Sequence, residues 1–202
     1  MKLKREFYHR DSIIVAKELL GKILIHEVGG KKLSGKIVET EAYMGIDDKA
    51  AHSYGGKRTP RNEIMYGEAG FSYVFLIYGL HSCFNVVVNE ADNPQAVLIR
   101  AVEPVAGSDE MSVLRFKKQL NELTKSQIKT LTNGPGKLSN ALGIDRSCNG
   151  ADLCGSSLYI EEGREDSFDI TTTKRVGIDY AEEAVDFPWR FYITGNPYIS
   201  VK

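Results

Sequence analysis

No stretch of the chain approaches the roughly 18 consecutive apolar residues that a membrane-spanning helix needs, so a spanning protein is not expected. The opening residues, MKLKREFYHRDS, lack the apolar centre of a secretion signal. Cysteine is scarce: Cys83, Cys148 and Cys154 form no metal-ligand spacing, and an odd number argues against a complete disulfide set. A reducing cytoplasm is therefore the expected compartment. There is no internal repeat, low-complexity segment or clear linker. The run NGPGK at 133–137 lacks the full spacing of a phosphate-binding Walker loop, which excludes nucleotide hydrolysis. Net charge is also lacking, at −1, so the total predicts no attraction to nucleic acid.

What is present is an ordinary globular composition: 202 residues, 42% hydrophobic and 26% charged, enough for one large domain. The charge is unevenly placed. Between 49 and 61 the charged residues are Lys49, Lys57, Arg58 and Arg61, with no acid. Between 113 and 137, Arg115, Lys117, Lys118, Lys125, Lys129 and Lys137 face a single acid, Glu122. Residues 155–188 are acidic, and 161–186 is the nearest thing to a mobile insert. A basic surface beside an acidic one suits a phosphate-rich partner, although a solvated helix face explains 113–137 equally well.

DSIIVAKELL (11–20) reads as a helix capped by Asp11 and closed by Gly21. KILIHEV (22–28) and LSGKIVETEAY (33–43) read as strands across a GGKK turn. GIDDKAAHSYGGKRTPRN (45–62) is a loop. FSYVFLIY (71–78) and SCFNVVVN (82–89) are strands joined by Gly79, Leu80 and His81, and AVLIRAVEP (96–104) is another. A basic helical region is expected over about 108–131, a short helix before Gly143, and strands near 157–161 and 189–194. Helices and strands do not alternate regularly. The fold class is therefore α+β, a single domain (1–202) with a curved, mostly antiparallel sheet flanked by helices and a protruding hairpin.

IVETEAY (37–43) places unusual residues on a strand. Alternation puts Ile37, Glu39, Glu41 and Tyr43 on one face. Two residues along a strand span about 6.6 Å, near the separation of some paired catalytic carboxylates. Glu39 and Glu41 could thus form a glycoside-hydrolysing pair, although same-face neighbours point in parallel rather than converge. The alternatives are one active carboxylate or two solvated acids. Tyr73, Phe75 and Ile77 share a face of the next strand. Tyr78, at the hairpin tip, is either a wedge that enters another molecule or a surface ring lying on its neighbour. Asn85 and Arg100 lie in apolar strands and need partners, since an unpaired buried polar group costs about 1–3 kcal/mol. Arg100 should meet an anion. His9 and His26 read as structural.

In order, ETEAYMGIDDKAAHSYGGKRTPRN, YVFLIYGLHSCFNVVV, AVLIRAVEP, NGPGKLSNALGI and RVGIDYAEEAVDFPWRFYITGNPYISV resemble the alkyladenine DNA glycosylase family, also called 3-methyladenine DNA glycosylases. FYHRDSIIVAKELLGKIL is similar to the start of the family's core, and the whole looks like a compact bacterial-type member.

The resemblance implies a monofunctional enzyme of base excision repair. It would turn damaged purines (3-methyladenine, 7-methylguanine, hypoxanthine, ethenoadenine) out of double-stranded DNA and hydrolyse the N-glycosidic bond to leave an abasic site. Glu41 would be the general base, with Arg100 and, by a backbone carbonyl, Val176 holding the water. Tyr43, His52 and Phe75 would stack the base, with Phe75 standing where the family has tyrosine. Asn85 would crowd the 2-amino group of guanine, and Tyr78 would be the wedge, followed by His81 where the family has an aromatic ring. Lys57, Arg58, Thr59, Arg61 and Lys137 would meet the DNA backbone. No metal, cofactor or membrane is implied, and a monomer acting at the nucleoid is expected. A carboxylate pair predicts equal damage from Glu39→Gln and Glu41→Gln. A single base predicts loss from Glu41→Gln alone. A non-catalytic damage binder predicts no base release at all.

Overall fold

The computed structural model describes residues 1–77, 79–164 and 167–201. It shows a single domain in which a curled antiparallel sheet carries helices on one face, as the α+β reading predicts. In chain order the main elements are α1 (Arg5–Tyr8), α2 (Ser12–Glu18), β1 (Ile23–Val28), β2 (Lys31–Tyr43), β3 (Ser72–Ile77), β4 (His81–Val88), β5 (Gln95–Ala106), α3 (Ser108–Phe116), α4 (Lys125–Lys129), α5 (Pro135–Ala141), β6 (Leu158–Glu161), β7 (Ile170–Thr173) and β8 (Arg190–Ile193). The strand order is β3-β4-β5-β2-β1-β6, and β8 also pairs with the far half of β2 and carries β7 outside it. No helix among the described residues is long and apolar enough to cross a membrane.

The Asp11 side chain accepts from the Ile13 N–H at 2.9 Å and starts α2, a cap contributing about 0.5–2 kcal/mol. Gly21 follows with φ +83°, and a Cβ there would lie 2.8 Å from the Phe168 ring, so glycine is required on both counts. Strand alternation then divides the sheet into two faces. Val74 of β3, Phe84, Val86 and Val88 of β4, Val97, Ile99 and Ala101 of β5, and Val38 and Ala42 of β2 belong to the main core with Val15 and Ala16 of α2, Leu19 just after it, and Leu138 and Ala141 of α5. Phe84 is wholly buried, and truncating it to alanine is expected to cost about 3–5 kcal/mol. The opposite face carries Tyr73 and Phe75, Cys83 and Asn85, Ala96, Leu98 and Arg100, all lining one cavity.

The structure corrects four expectations. Ile37 does not share the face of Glu39, Glu41 and Tyr43: it lies in the main core beside Val38, because the register between β2 and β5 shifts at Ile37/Glu39. A second shift at Glu39/Thr40 leaves Arg100 as the extra residue on β5. The basic region 108–131 is not one helix: Lys117 adopts φ +57° and closes α3, and Thr124 opens α4 by a capping box with Gln127. His81 is the first residue of β4 rather than part of the turn. The expected mobile insert at 161–186 is built into the fold wherever it is described. It contributes β7, and Ile178, Ala181 and Ala184 pack on Ala50. Its acids lie outside this cluster, where Glu182 and Glu183 meet Lys49 and Asp186 meets Lys174.

Candidate active site

The face of the sheet away from the helices borders a cavity of about 480 Å³. Its walls include Tyr43, His52, Tyr73, Phe75, Asn85, Arg100 and Val176. Tyr43, His52, Phe75, Asn85, Arg100 and Val176, given roles by the resemblance and coming from β2, β3, β4, β5 and two loops, thus meet in one hollow, with Arg61 beside them. Glu41 is wholly buried directly behind the cavity wall, touching three of the lining residues. Its Oε1 accepts from the Val176 N–H at 2.8 Å and lies 3.2 Å from Arg100 Nη1, and its Oε2 accepts from the Tyr43 hydroxyl at 3.0 Å. All three partners are donors, which is the surrounding that a carboxylate needs. A carboxylate accepts about four hydrogen bonds, so capacity for one more donor remains. The Val176 N–H thus reaches Glu41 itself, a contact separate from the carbonyl-to-water contact that the resemblance implies.

Glu39 is also wholly buried, but its oxygens are taken. Oε1 accepts from Arg100 Nε at 2.9 Å, Arg190 Nε at 2.7 Å and Ser200 Oγ at 2.8 Å, and Oε2 from the Ser200 N–H. Burial opposes its charge, yet Arg100, Ser200 and Arg190 outweigh that and hold its carboxyl below the usual range. Removing a buried carboxylate from water costs several kcal/mol, which these donors offset. With four donors already bound, Glu39 has no capacity left to act as the second member of a catalytic carboxylate pair.

The loop that brings His52 to the wall is fastened at both ends. Asp48 accepts from the N–H groups of Met44 and Ala50 and forms a fork with Arg175, at 2.5 and 2.8 Å. Asn62 donates to the carbonyls of His52 and Lys57 and accepts from Thr59. His52 Nδ1 and the Tyr73 hydroxyl share a hydrogen bond of 2.8 Å, and the His52 ring stands edge-on to Phe75 at 4.5 Å. Burial, with Arg61 and Lys57 nearby, lowers the His52 pKa to about 4, so its ring is neutral at pH 7. Burial pushes the Tyr73 hydroxyl up to about 12 and the Cys83 thiol up to about 11. Burial and Glu41 raise Tyr43 well above its ordinary value, which keeps its hydroxyl a donor. The Asn85 amide donates to the backbone carbonyls of Tyr73 and Cys83.

The residues expected at a DNA backbone are less uniform. Lys57 and Arg61 are exposed, and the Arg61 guanidinium sits 5.1 Å over the Phe75 ring at the cavity wall. Arg58 is bound by Glu63 and Asp92. Lys137 Nζ donates to Asn133. Tyr78 lies outside the described residues; beyond the turn, Leu80 is 79% exposed. Sequence reasoning missed Asp48, Asn62, Tyr73 as the partner of His52, Arg175 and the rim residue Tyr180. Arg175 is the clearest loss: an arginine with a wholly buried side chain, lying over the Tyr43 ring at 4.8 Å and immediately before Val176.

Comparison with known proteins agrees with this geometry. Residues 6–197 match the family described as Methylpurine-DNA glycosylase (MPG). Over its whole length the chain is 67% identical to a protein of Desulfitobacterium hafniense (strain Y51), of which 99% is covered. It is 62% identical to one of Clostridium acetobutylicum, 98% covered, and 56% identical to one of Alkaliphilus oremlandii, covered in full. Each of these relatives is provisionally named a 3-methyladenine DNA glycosylase. The chain belongs to the methylpurine-DNA glycosylase family.

Proposed function

We propose that this enzyme, a hydrolase of N-glycosyl bonds by family, removes damaged purines that have been turned out of duplex DNA, and that Glu41 is its general base. The observation that carries the reading is the buried Glu41 carboxylate, held by three donors directly behind the wall of a ring-lined cavity.

A purine inside a duplex hides its glycosidic bond. Extruding it costs a few kcal/mol, less when the base is damaged, and Tyr78 is the residue assigned to fill the gap. Tyr43 on one side, and His52 and Phe75 on the other, then receive the base. Stacking contributes about 1–3 kcal/mol per base and tolerates several shapes. A cationic alkylated purine is further attracted to the ring faces, and the neutral His52 adds no opposing charge. Asn85 is assigned to exclude the 2-amino group of normal guanine. Phe75 keeps the stacking face and lacks any hydroxyl contact.

Glu41 takes a proton from water as its oxygen bonds to C1′, and the purine leaves with the electron pair of the broken C–N bond. The negative carboxylate also favours the oxocarbenium-like transition state. Arg100 and the Val176 N–H fix the direction of Glu41. Among the described residues lining the cavity there is no lysine, which supports a monofunctional enzyme that leaves an abasic site without nicking the strand. The chemistry calls for no metal or cofactor. The enzyme is proposed to act as a monomer at the cytoplasmic nucleoid, with Lys57, Arg58, Thr59, Arg61 and Lys137 toward the DNA backbone.

The test uses duplexes carrying 7-methylguanine or hypoxanthine and measures free base under single turnover. Glu41→Gln should slow release by about 10²–10⁴-fold, the usual weight of a general base, while still binding the duplex. Release at the wild-type rate by that variant would overturn the assignment. Strand cleavage without added base or heat would overturn the monofunctional reading.

A further inference from the structure

Behind Arg100 on the cavity wall lies a polar cluster whose other members have no part in the proposed chemistry. It consists of Glu39, Arg100, Arg190 and the segment at Ser200 and Val201. Each nitrogen of the Arg100 guanidinium has a separate acceptor. Nε donates to Glu39 at 2.9 Å, Nη2 to Ser200 Oγ at 3.1 Å, and Nη1 lies 3.2 Å from Glu41. A guanidinium is planar, so fixing Nε and Nη2 dictates where Nη1 points. Ser200 closes the arrangement by donating its hydroxyl and its N–H to Glu39, and Arg190 spans from Glu39 to the Val201 carbonyl. The register shifts at Glu39 leave Arg100 unopposed on β5 and place it beside that carboxylate.

We propose that Glu39 is a positioning residue for base hydrolysis: with Ser200 it locks the Arg100 guanidinium onto Glu41, and its charge balances Arg190. The inference rests on the reading of Glu41 as the general base. Two carboxylates and two guanidiniums make a neutral cluster, so Glu41 is held by a cation without facing an excess of them. The other titratable or charged groups around Glu41 leave that balance intact. Arg175 is matched by Asp48, and Tyr43, Tyr180 and Cys83 are all held protonated above their ordinary values. Replacing Glu39 by glutamine leaves one positive charge uncompensated beside Glu41. That excess favours its ionised form and weakens it as a base. On this proposal Glu39→Gln slows release without abolishing it, where the single-base reading from sequence expects loss from Glu41→Gln alone.

The experiment is single-turnover release of 7-methylguanine from a duplex across acid and neutral pH. A cationic base needs no protonation to leave, so the acid limb reports the general base. Glu39→Gln should lower the plateau by about 10–100-fold, within the weight of general-base catalysis, and move the acid limb to lower pH. Ser200→Ala changes no charge; it should slow release several-fold with the limb unmoved. A folded Glu39→Gln with wild-type plateau and limb would overturn the proposal. So would a lowered plateau with an unmoved limb, which is the signature of a purely structural role. If Glu39→Gln does not fold, Ser200→Ala decides: slower release that Ser200→Thr restores supports the lock, and a wild-type rate, or no recovery with threonine, overturns it. Failure of the underlying reading looks different, because Glu41→Gln would then release base as fast as the wild type.

Discussion

Two arginines in this molecule have nearly the same surroundings and opposite importance. Arg175 lies over the Tyr43 ring at 4.8 Å and grips Asp48; Arg58 lies over the Tyr66 ring at 4.6 Å and grips Glu63 and Asp92. Each is held by carboxylate, one forked acid for Arg175 and two acids for Arg58, and each has a tyrosine face. The side chain of Arg175 is 0% exposed and that of Arg58 is 48% exposed. In water an ion pair is screened and must order two long side chains, so it adds little. Out of water, each partner depends on the other for solvation it has lost. Burial therefore decides what the pair does, and the buried pair sits where the site needs rigidity. Arg175 precedes Val176, whose N–H reaches Glu41, while Asp48 anchors the loop that carries His52.

The sharpest way to break this comparison is to remove both cations. Arg175→Met should destabilise the protein by about 3–5 kcal/mol, because Asp48 is left charged and buried. Adding Asp48→Asn should recover part of that loss. Arg58→Met should leave the urea midpoint where it was. Equal losses in equilibrium urea unfolding would refute the role given to burial.

The same contrast explains what could be read in the sequence. Glu41, Tyr43 and Arg100 were legible because strand alternation and the cost of an unpaired buried polar group act locally, and the resemblance supplied roles for His52, Phe75 and Asn85. Most strands were found for the same reason. Arg175 and Asp48 were not legible: they are 127 residues apart, and each sits in a polar stretch where charge normally means solvent. The acidic composition of 161–186 outweighed the short β7 and the few apolar residues that dock on Ala50. The β-bulges at Glu39 were missed because nothing in IVETEAY marks a register shift, yet they move Ile37 into the core and Arg100 beside Glu39.

His52 extends the comparison to a half-buried base without an acid. It shares its hydrogen bond with a hydroxyl, and the charges near it are Arg61 and Lys57. Its folded pKa of about 4 lies below the ordinary value of 6.5. Between those values the unfolded chain binds more protons, so stability rises with pH. The contribution is complete above about pH 6.5 and is lost as pH falls toward about 4. His52→Gln should flatten this slope in unfolding measurements across that window, and the His52 ring signals should not titrate between pH 5.5 and 8. An imidazole that takes up its proton near pH 6.5 would show that the cavity wall is wetter than its burial implies.

The smallest effect concerns the exposed loop itself. If Lys57, Arg58 and Arg61 all met phosphates as free cations, removing any one would reduce the slope of log affinity against log salt by about 0.9. Lys57 and Arg61 form no ion pair among the described residues, whereas Arg58 brings two carboxylates with it. Lys57→Ala and Arg61→Ala should therefore each lower the slope by close to one ion, measured with an undamaged duplex. Arg58→Ala should lower it by a fraction of that, since it frees Glu63 and Asp92 to repel the backbone while releasing no counterion of its own. A full unit lost with Arg58→Ala would mean that the arginine leaves its acids when DNA arrives, and that its pairing belongs only to the free protein.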